Sequence, residues 1–174
     1  ANHLPRHLLS FVHGLGEHIG RYAHVAAHLV ARGWDVHGYD QRGHGASPGK
    51  RGALREADDL LDDLSRVIVA VRATSPTRPF VLLGHSMGGL VAAQFVAESR
   101  GAVDALVLSS PALDAGLGIA QRLQLAVGYA LVPDLAMSNR LDATRISHDA
   151  SVVRAYVDDP LVHDRVTARL AHAL

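Results

Sequence analysis

The stretch Gly84-His85-Ser86-Met87-Gly88 decides the fold of this chain. It follows the apolar run Phe80-Val81-Leu82-Leu83 and leads into a longer apolar run at residues 89–98. The first run is short and bounded by proline and glycine, which predicts a buried strand. The second run contains no helix breaker and predicts a buried helix. A serine flanked by glycines two positions away, at a strand-to-helix turn, has the pattern of a nucleophile elbow.

Such a turn suits Ser86 to act as a nucleophile. The serine backbone is expected to be strained, and only small neighbours such as Gly84 and Gly88 let the strand and the helix pass so closely. The hydroxyl then projects above the sheet, beside the N–H of Met87 at the helix N-terminus, where negative charge is favoured. The side chain of His85 is expected to point away from this hydroxyl. An ordinary glycine-rich turn is the alternative interpretation of the motif alone.

A second glycine loop, His13-Gly14-Leu15-Gly16, follows a strand-like run at residues 8–12. In proteins with a nucleophile elbow, a loop after an early strand provides the second donor of the oxyanion hole. The glycines let the backbone turn towards the nucleophile, so we expect the N–H of Leu15 to be this donor, with His13 and Gly14 supporting the turn. The two motifs together predict Ser86 as the nucleophile and the amides of Leu15 and Met87 as an oxyanion hole.

Strand-like and helix-like segments alternate through the first part of the chain. The predicted strands are 8–12, 34–39, 80–83 and 103–111, and the predicted helices are 21–32, 56–73 and 89–98. This alternation predicts a parallel central sheet with helices on both faces. We therefore expect residues 1–110 to form part of an α/β core.

The pattern changes after Pro111. Residues 119–132 are apolar but too few to span a bilayer, and Asp149 is placed to cap a helix at 150–157. Another helix is expected to start near Asp164, and no strand is expected between Pro111 and the end. Residues 111–174 are thus predicted to form a helical cap, or lid, over the sheet. Its apolar surface has three open interpretations: the wall of an acyl pocket, a lipid contact, or core packing.

Composition and spacing exclude several classes of function. Lysine plus arginine and aspartate plus glutamate number 17 each, so the chain is neutral, which argues against a nucleic-acid partner. The absence of cysteine excludes disulfides and thiolate chemistry. His24 and His28 lie one helical turn apart, but no carboxylate of a zincin motif accompanies them, so we expect no metal site. The glycines of residues 40–49 lack the spacing of a phosphate-binding loop.

Four groups of residues resemble one family. They are Val12-His13-Gly14-Leu15-Gly16-Glu17-His18-Ile19-Gly20-Arg21-Tyr22, Tyr39-Asp40-Gln41-Arg42-Gly43-His44-Gly45-Ala46-Ser47, Gly84-His85-Ser86-Met87-Gly88-Gly89, and Ser147-His148-Asp149 with Tyr156 and Asp159-Pro160-Leu161-Val162. Together they resemble the monoacylglycerol lipase (lysophospholipase-like) branch of the serine α/β-hydrolases. The resemblance implies an esterase that acts on monoacylglycerols, lysophospholipids or similar single-chain lipid esters, without a cofactor. It also implies Ser86 as nucleophile and Leu15 and Met87 as oxyanion donors. We expect a cytoplasmic enzyme whose cap contacts membranes peripherally.

The chain departs from that family in its catalytic acid and base. In the α/β-hydrolase fold these residues follow the serine in the order acid then histidine, on loops after two further strands. Here the histidines after Ser86 are His148, His163 and His172, all in the predicted cap. The sequence therefore assigns neither base nor acid, and we expect the C-terminal part of the fold to be missing. Thioesterase, lactonase and peptidase activities, or a catalytically incomplete fragment, remain alternatives.

Overall fold

The computed structural model describes residues 7–114, 116 and 118–174. Its main sheet contains four parallel strands in the order β2-β1-β3-β4. The strands are β1 (His7–Val12), β2 (Trp34–Gly38), β3 (Phe80–His85) and β4 (Ala105–Ser109), connected by helices α1 (Ala23–Val30), α2 (Asp59–Thr74) and α3 (Met87–Ala97). A short 3₁₀ helix, Ile19–Tyr22, precedes α1. The predicted alternation and the parallel sheet are confirmed.

Alternating side chains of the central strands pack on opposite faces of this sheet. Leu8 and Val12 of β1 belong to the larger core cluster, which also contains the buried residues of α2 and α3. Leu9 and Phe11 belong to a second cluster on the other face, which includes Leu29 of α1. This alternation is the period-two pattern of a strand buried on both sides. Helices therefore cover both faces, as predicted.

The segment predicted to form the cap follows β4 and is not wholly helical. It contains α4 (Ile119–Leu131), β5 (Ala136–Ser138), the 3₁₀ helix Ala143–Arg145, α5 (Ala150–Val157), β6 (Arg165–Thr167) and α6 (Ala168–Ala173). Strands β5 and β6 form an antiparallel pair, so the expectation of no strand after Pro111 was wrong. Each strand has three residues, which is too short for sequence periodicity to show.

The starts of the cap helices show how capping sets their limits. Asp149 accepts a hydrogen bond from the N–H of Ser151 at 2.7 Å, which confirms the predicted start of α5. Helix α6 starts at Ala168, four residues after the expected position near Asp164, because Thr167 provides the cap. Leu170 of α6 is fully buried in the larger core cluster. The division of the chain at residue 110 stays a prediction.

Candidate active site

Ser86 lies where β3 passes into α3, and its backbone has the rare torsion angles φ 52° and ψ −121°. The N–H of Ser86 donates to the carbonyl of Ser109 at the end of β4, at 3.1 Å. Its own carbonyl accepts the N–H groups of Gly89, Leu90 and Ala112 at 2.9, 3.1 and 3.0 Å. A positive φ is costly for a residue with a side chain, and these four bonds hold it in place.

The glycines around Ser86 are required by close backbone contacts. A Cβ atom on Gly84 would collide with the carbonyl of Gly88, and one on Gly88 would collide with the carbonyls of Val12 and His13. The helix therefore starts directly against the end of β1 and its following loop. This packing brings the turn at Ser86 beside the glycine loop that the sequence singled out.

The backbone amides near Ser86 differ in whether they have an acceptor within the protein. The amide of Gly14 has one. It donates a hydrogen bond to Oε1 of Glu17 at 2.6 Å, so it is not available to a substrate. The amides of Leu15 and Met87, in contrast, donate to no other residue within the part of the chain that the structure describes. An N–H without a protein acceptor beside a nucleophile is free to stabilise an oxyanion. The geometry thus leaves both predicted donors available.

Glu17 is the buried carboxylate that fixes this loop. Besides Gly14, it accepts hydrogen bonds from the hydroxyl of Tyr22 and the guanidinium of Arg21. Burial of Tyr22, together with the charge of Glu17, raises the pKa of the tyrosine, which keeps its hydroxyl as a proton donor. Sequence reasoning missed this role, although Glu17 stands inside the motif.

His13 is a structural brace of the same loop. Its Nε2 accepts the N–H of Gln41 at 2.9 Å, so its Nδ1 carries the proton and donates to the carbonyl of Gly14 at 2.8 Å. The side-chain amide of Gln41 returns a hydrogen bond to the carbonyl of His13 at 2.6 Å. Burial lowers the pKa of His13, which keeps the ring neutral. The sequence assigned His13 to motif support, and its contacts give that assignment a physical basis.

Two further histidines, His44 and His163, lie in a row from His13 to the cap, each ring next to the one before it. The ring of His44 lies 5.5 Å from that of His13 and 4.8 Å from that of His163. His44 Nδ1 donates to the carbonyl of Arg42 at 2.9 Å. Burial lowers the pKa of His44 to about 3 and also lowers the pKa of the half-buried His163. All three rings are therefore uncharged at neutral pH.

The cap contacts the glycine loop through side chains and backbone. The guanidinium of Arg21 lies 4.5 Å above the ring of Tyr156, and Nε2 of His18 lies 2.8 Å from Oδ2 of Asp159. The hydrogen bond from His18 is the main cause of a lowered pKa at Asp159. The N–H of His163 donates to the carbonyl of Gly16 at 2.8 Å. The loop that carries Leu15 is thus fixed between the sheet and the cap.

No histidine of the described residues is hydrogen-bonded to Ser86. His85 Nδ1 lies 3.1 Å from the hydroxyl of Ser109, and His172 stacks on Tyr129 with ring centroids 4.2 Å apart. His163 Nε2 lies 3.1 Å from the carbonyl of Gly43, while His148 is exposed. These positions provide no base for Ser86. Among the described residues there is also no group of three or more histidine or acidic side chains placed to hold a metal ion.

Within the described residues, no helix combines the length and the apolar character that crossing a bilayer requires.

Comparison with known sequences identifies relatives over almost the whole chain. The family model described as serine aminopeptidase, S33 (Hydrolase_4) matches residues 3–174. The monoacylglycerol lipase of Mycolicibacterium smegmatis is 42% identical over 175 residues, which cover 98% of this chain and 61% of that protein. The monoglyceride lipase of Homo sapiens is 32% identical over 161 residues, which cover 91% of this chain and 53% of that protein. The chain thus spans between one half and two thirds of the length of these relatives.

Solved structures show the same fold. The monoacylglycerol lipase of Paleococcus ferrophilus superposes with a TM-score of 0.83 at 31% identity, covering 98% of this chain and 68% of that one. A soluble variant of the Saccharomyces cerevisiae monoglyceride lipase superposes with a TM-score of 0.86 at 20% identity, covering 99% and 59%. Taken with the elbow at Ser86 and the sheet order, these matches show that the chain belongs to the Hydrolase_4 (serine aminopeptidase, S33) family and shares the α/β-hydrolase fold of the monoacylglycerol lipases.

Proposed function

We propose that this chain carries the nucleophile and the oxyanion hole of a serine hydrolase that cleaves carboxylic esters of single-chain lipids, such as monoacylglycerols or lysophospholipids. The observation that carries the proposal is the strained Ser86, with the loop of Gly14 packed beside it and two unengaged amides nearby. The names of the relatives support the substrate class, since they include monoacylglycerol lipases and a phospholipase of Bacillus subtilis.

The proposed reaction has two steps. Ser86 Oγ attacks the ester carbonyl and loses its proton to a general base, and the resulting oxyanion is bound by the N–H groups of Leu15 and Met87. The carbonyl re-forms as the alcohol leaves with that proton, which gives an acyl-serine. Water then attacks the acyl group, and the fatty acid leaves as Ser86 regains its proton. We assign the base and its orienting acid to no described residue, and propose no cofactor.

Peptidase activity is the second candidate, because the matching family model is described as a serine aminopeptidase. An acyl-enzyme on Ser86 would serve amides, thioesters and lactones equally well, so the elbow does not separate these substrates. The third candidate is a catalytically incomplete domain, because no described histidine is hydrogen-bonded to Ser86.

We also propose that the cap contacts a lipid surface. Helix α4 exposes Ile119, Leu123 and Leu131, with 89%, 65% and 74% of their surfaces accessible. Apolar side chains exposed in one helix are a feature of lids that bind at lipid interfaces. The enzyme would then act from the cytoplasm on lipid esters presented at a membrane, and this location stays a prediction.

The experiment compares the whole protein with its Ser86→Ala variant. We expect the whole protein to react with a fluorophosphonate probe and to hydrolyse a short-chain monoacylglycerol. Ser86→Ala should not be labelled and should lose roughly 10⁶-fold in turnover. Thr77→Ala, which removes an exposed hydroxyl from the loop before β3, is the matched control and should behave as wild type.

A substrate panel decides between the candidates. Monoacylglycerol, lysophospholipid, acyl thioester, lactone and aminoacyl p-nitroanilide are compared by kcat/KM. A higher value for the p-nitroanilide would replace the lipid-ester proposal with a peptidase. Full hydrolysis by Ser86→Ala would reject both.

A further inference from the structure

A cavity lies apart from Ser86. It has a volume of about 920 Å³ and is bounded by residues 39–55, by α2 and by Asp134 and Arg169 of the cap. Small-molecule sites have volumes of roughly 300–1,000 Å³. Ser86, Leu15 and Met87 are not among its lining residues. The cavity is therefore distinct from the candidate active site and has no part in the proposed reaction.

The lining of this cavity is rich in positive charge. Its basic side chains are Arg42, Lys50, Arg55, Arg66 and Arg169, and its acidic side chains are Asp40, Asp63 and Asp134. The chain as a whole is neutral, so this excess of basic groups is local. A local excess of basic over acidic groups on a concave surface attracts anions.

The three acidic side chains are already engaged. Oδ1 and Oδ2 of Asp40 accept the N–H groups of Ile19 and Ala46, each at 2.8 Å. Asp63 accepts two hydrogen bonds from Arg42, both at 2.9 Å. Oδ1 of Asp134 accepts from Nε of Arg169 at 3.1 Å. These carboxylates are thus satisfied by partners within the chain.

Two of the basic side chains retain donors without acceptors. Nζ of Lys50 donates to the backbone carbonyl of Asp134 at 2.6 Å and pairs with no carboxylate of the described residues. The guanidinium of Arg55 makes no hydrogen bond with any described residue, although its charge interacts with the carboxylate of Asp59, which also accepts the backbone N–H of Arg55. An ammonium and a guanidinium with free N–H groups at one cavity are suited to bind a carboxylate or a phosphate.

Part of the remaining wall of the cavity is apolar. Ala53, Leu54 and Val67 contribute to it, and Leu54 and Val67 belong to or pack against the main core. Tyr39 also lines the cavity, and its hydroxyl is buried without a partner among the described residues. An inorganic ion would leave the apolar part of this surface in contact with water. A ligand with a short hydrocarbon chain would cover it.

We infer that this cavity binds a small amphiphilic anion, whose carboxylate or phosphate group pairs with Lys50 and Arg55 and whose short apolar chain packs against Leu54 and Val67.

Binding of two soluble probes to the whole protein tests the inference. Octanoate and octyl phosphate are titrated below their micelle concentrations by isothermal calorimetry, together with octanol and inorganic phosphate. We expect saturable binding of at least one octyl anion, and the tighter of the two identifies the charged group. Octanol lacks the charge and inorganic phosphate lacks the chain, so each should bind about tenfold more weakly or worse.

Paired variants locate the site. Lys50→Gln with Arg55→Gln should weaken binding of the octyl anion about tenfold or more, since charged hydrogen bonds are lost. The matched control, Arg145→Gln with Arg154→Gln, removes the same charge from exposed positions on the cap and should leave the affinity unchanged. Both double variants should stay folded and keep the wild-type esterase activity, because none of the four residues contacts the Ser86 turn.

Three results would overturn the inference. The first is that neither octyl anion binds. The second is an affinity that Lys50→Gln with Arg55→Gln leaves unchanged, which would assign the binding to another site on the protein. The third is equal binding of inorganic phosphate, which would remove the apolar part of the proposed ligand.

Discussion

A Cβ atom built on Gly14 would lie 3.2 Å from the Cβ of Ser86 and 2.9 Å from Oε1 of Glu17. The glycine loop therefore packs directly against the proposed nucleophile, with no space for a side chain between them. The next residue of this loop, Leu15, is the proposed oxyanion donor, and Glu17 is the buried carboxylate that holds the loop through the amide of Gly14.

Gly14→Ala tests this contact. The added methyl group would push the loop away from Ser86 by a few tenths of an ångström, because one neighbour is the Cβ of Ser86 and the other is the buried carboxylate of Glu17, which its hydrogen bonds hold in place. We expect kcat for ester hydrolysis to fall about 10- to 100-fold, since oxyanion stabilisation depends on the donor position. Gly128→Ala in α4, where the new Cβ would find an ordinary contact at 3.6 Å, is the control. Wild-type kcat in a folded Gly14→Ala variant would contradict the proposed oxyanion hole.

Glu17→Ala tests whether the buried carboxylate positions the loop. Its removal frees the amide of Gly14 and leaves the guanidinium of Arg21 without its partner. We expect kcat to fall by up to ~100-fold with little change in KM, because removing an oxyanion donor costs ~3 kcal/mol. Glu17→Gln should keep part of the activity, since its amide oxygen can still accept from Gly14. Glu98→Ala, at an exposed carboxylate, controls for the change in charge. A loss confined to KM would point to substrate binding instead.

The strands and helices of the core could be predicted because their signals are local. Apolar runs between turn residues predicted all four strands of the main sheet, and helical spacing predicted α2. The antiparallel pair was missed because Ala136 pairs with Thr167, far along the chain, in strands of three residues. Short strands of this kind are specified by tertiary contacts that periodicity does not record.

The candidate site was predictable where backbone geometry alone decides it. Glycines at fixed spacing around Ser86 predicted the turn, because the close approach of backbones leaves no space for larger residues. Glu17 and Gln41 gave no such signal, since both are residue types usually found at the surface. Their burial follows from partners at His13, Gly14 and Tyr22 that only the folded chain brings together.

The three neutral histidines predict that stability falls in acid. An unfolded chain protonates His44 near its ordinary pKa of 6.5, whereas the folded chain does not until about pH 3. The unfolded state therefore binds more protons, and stability is lost as pH falls below 6.5. We expect His44 alone to cost about 2 kcal/mol of unfolding free energy between pH 7 and pH 5. His13 and His163, with lowered pKa values, add to the loss in the same direction.

Urea denaturation of the whole protein at pH 7 and pH 5 measures this dependence. His44→Gln should reduce the difference between the two pH values, even where it lowers stability at both. His163→Gln, at a half-buried position, provides a second variant should His44→Gln not fold. His24→Gln, on the exposed face of α1, should leave the difference unchanged. An unaltered pH dependence in both His44→Gln and His163→Gln would reject the assignment.

The exposed apolar side chains of α4 predict binding to lipid surfaces. Ile119→Ser with Leu123→Ser removes two of them without opening a cavity, because neither side chain is buried. We expect the whole protein to sediment with phosphatidylcholine vesicles, and the double variant to bind about tenfold more weakly, since each exposed side chain inserted into lipid contributes roughly 1 kcal/mol. Val69→Ser removes a similarly exposed apolar residue from α2 and should leave vesicle binding unchanged. Equal binding by the α4 variant and the wild type would mean that this helix does not contact lipid, and its apolar face would then be assigned to packing within the protein.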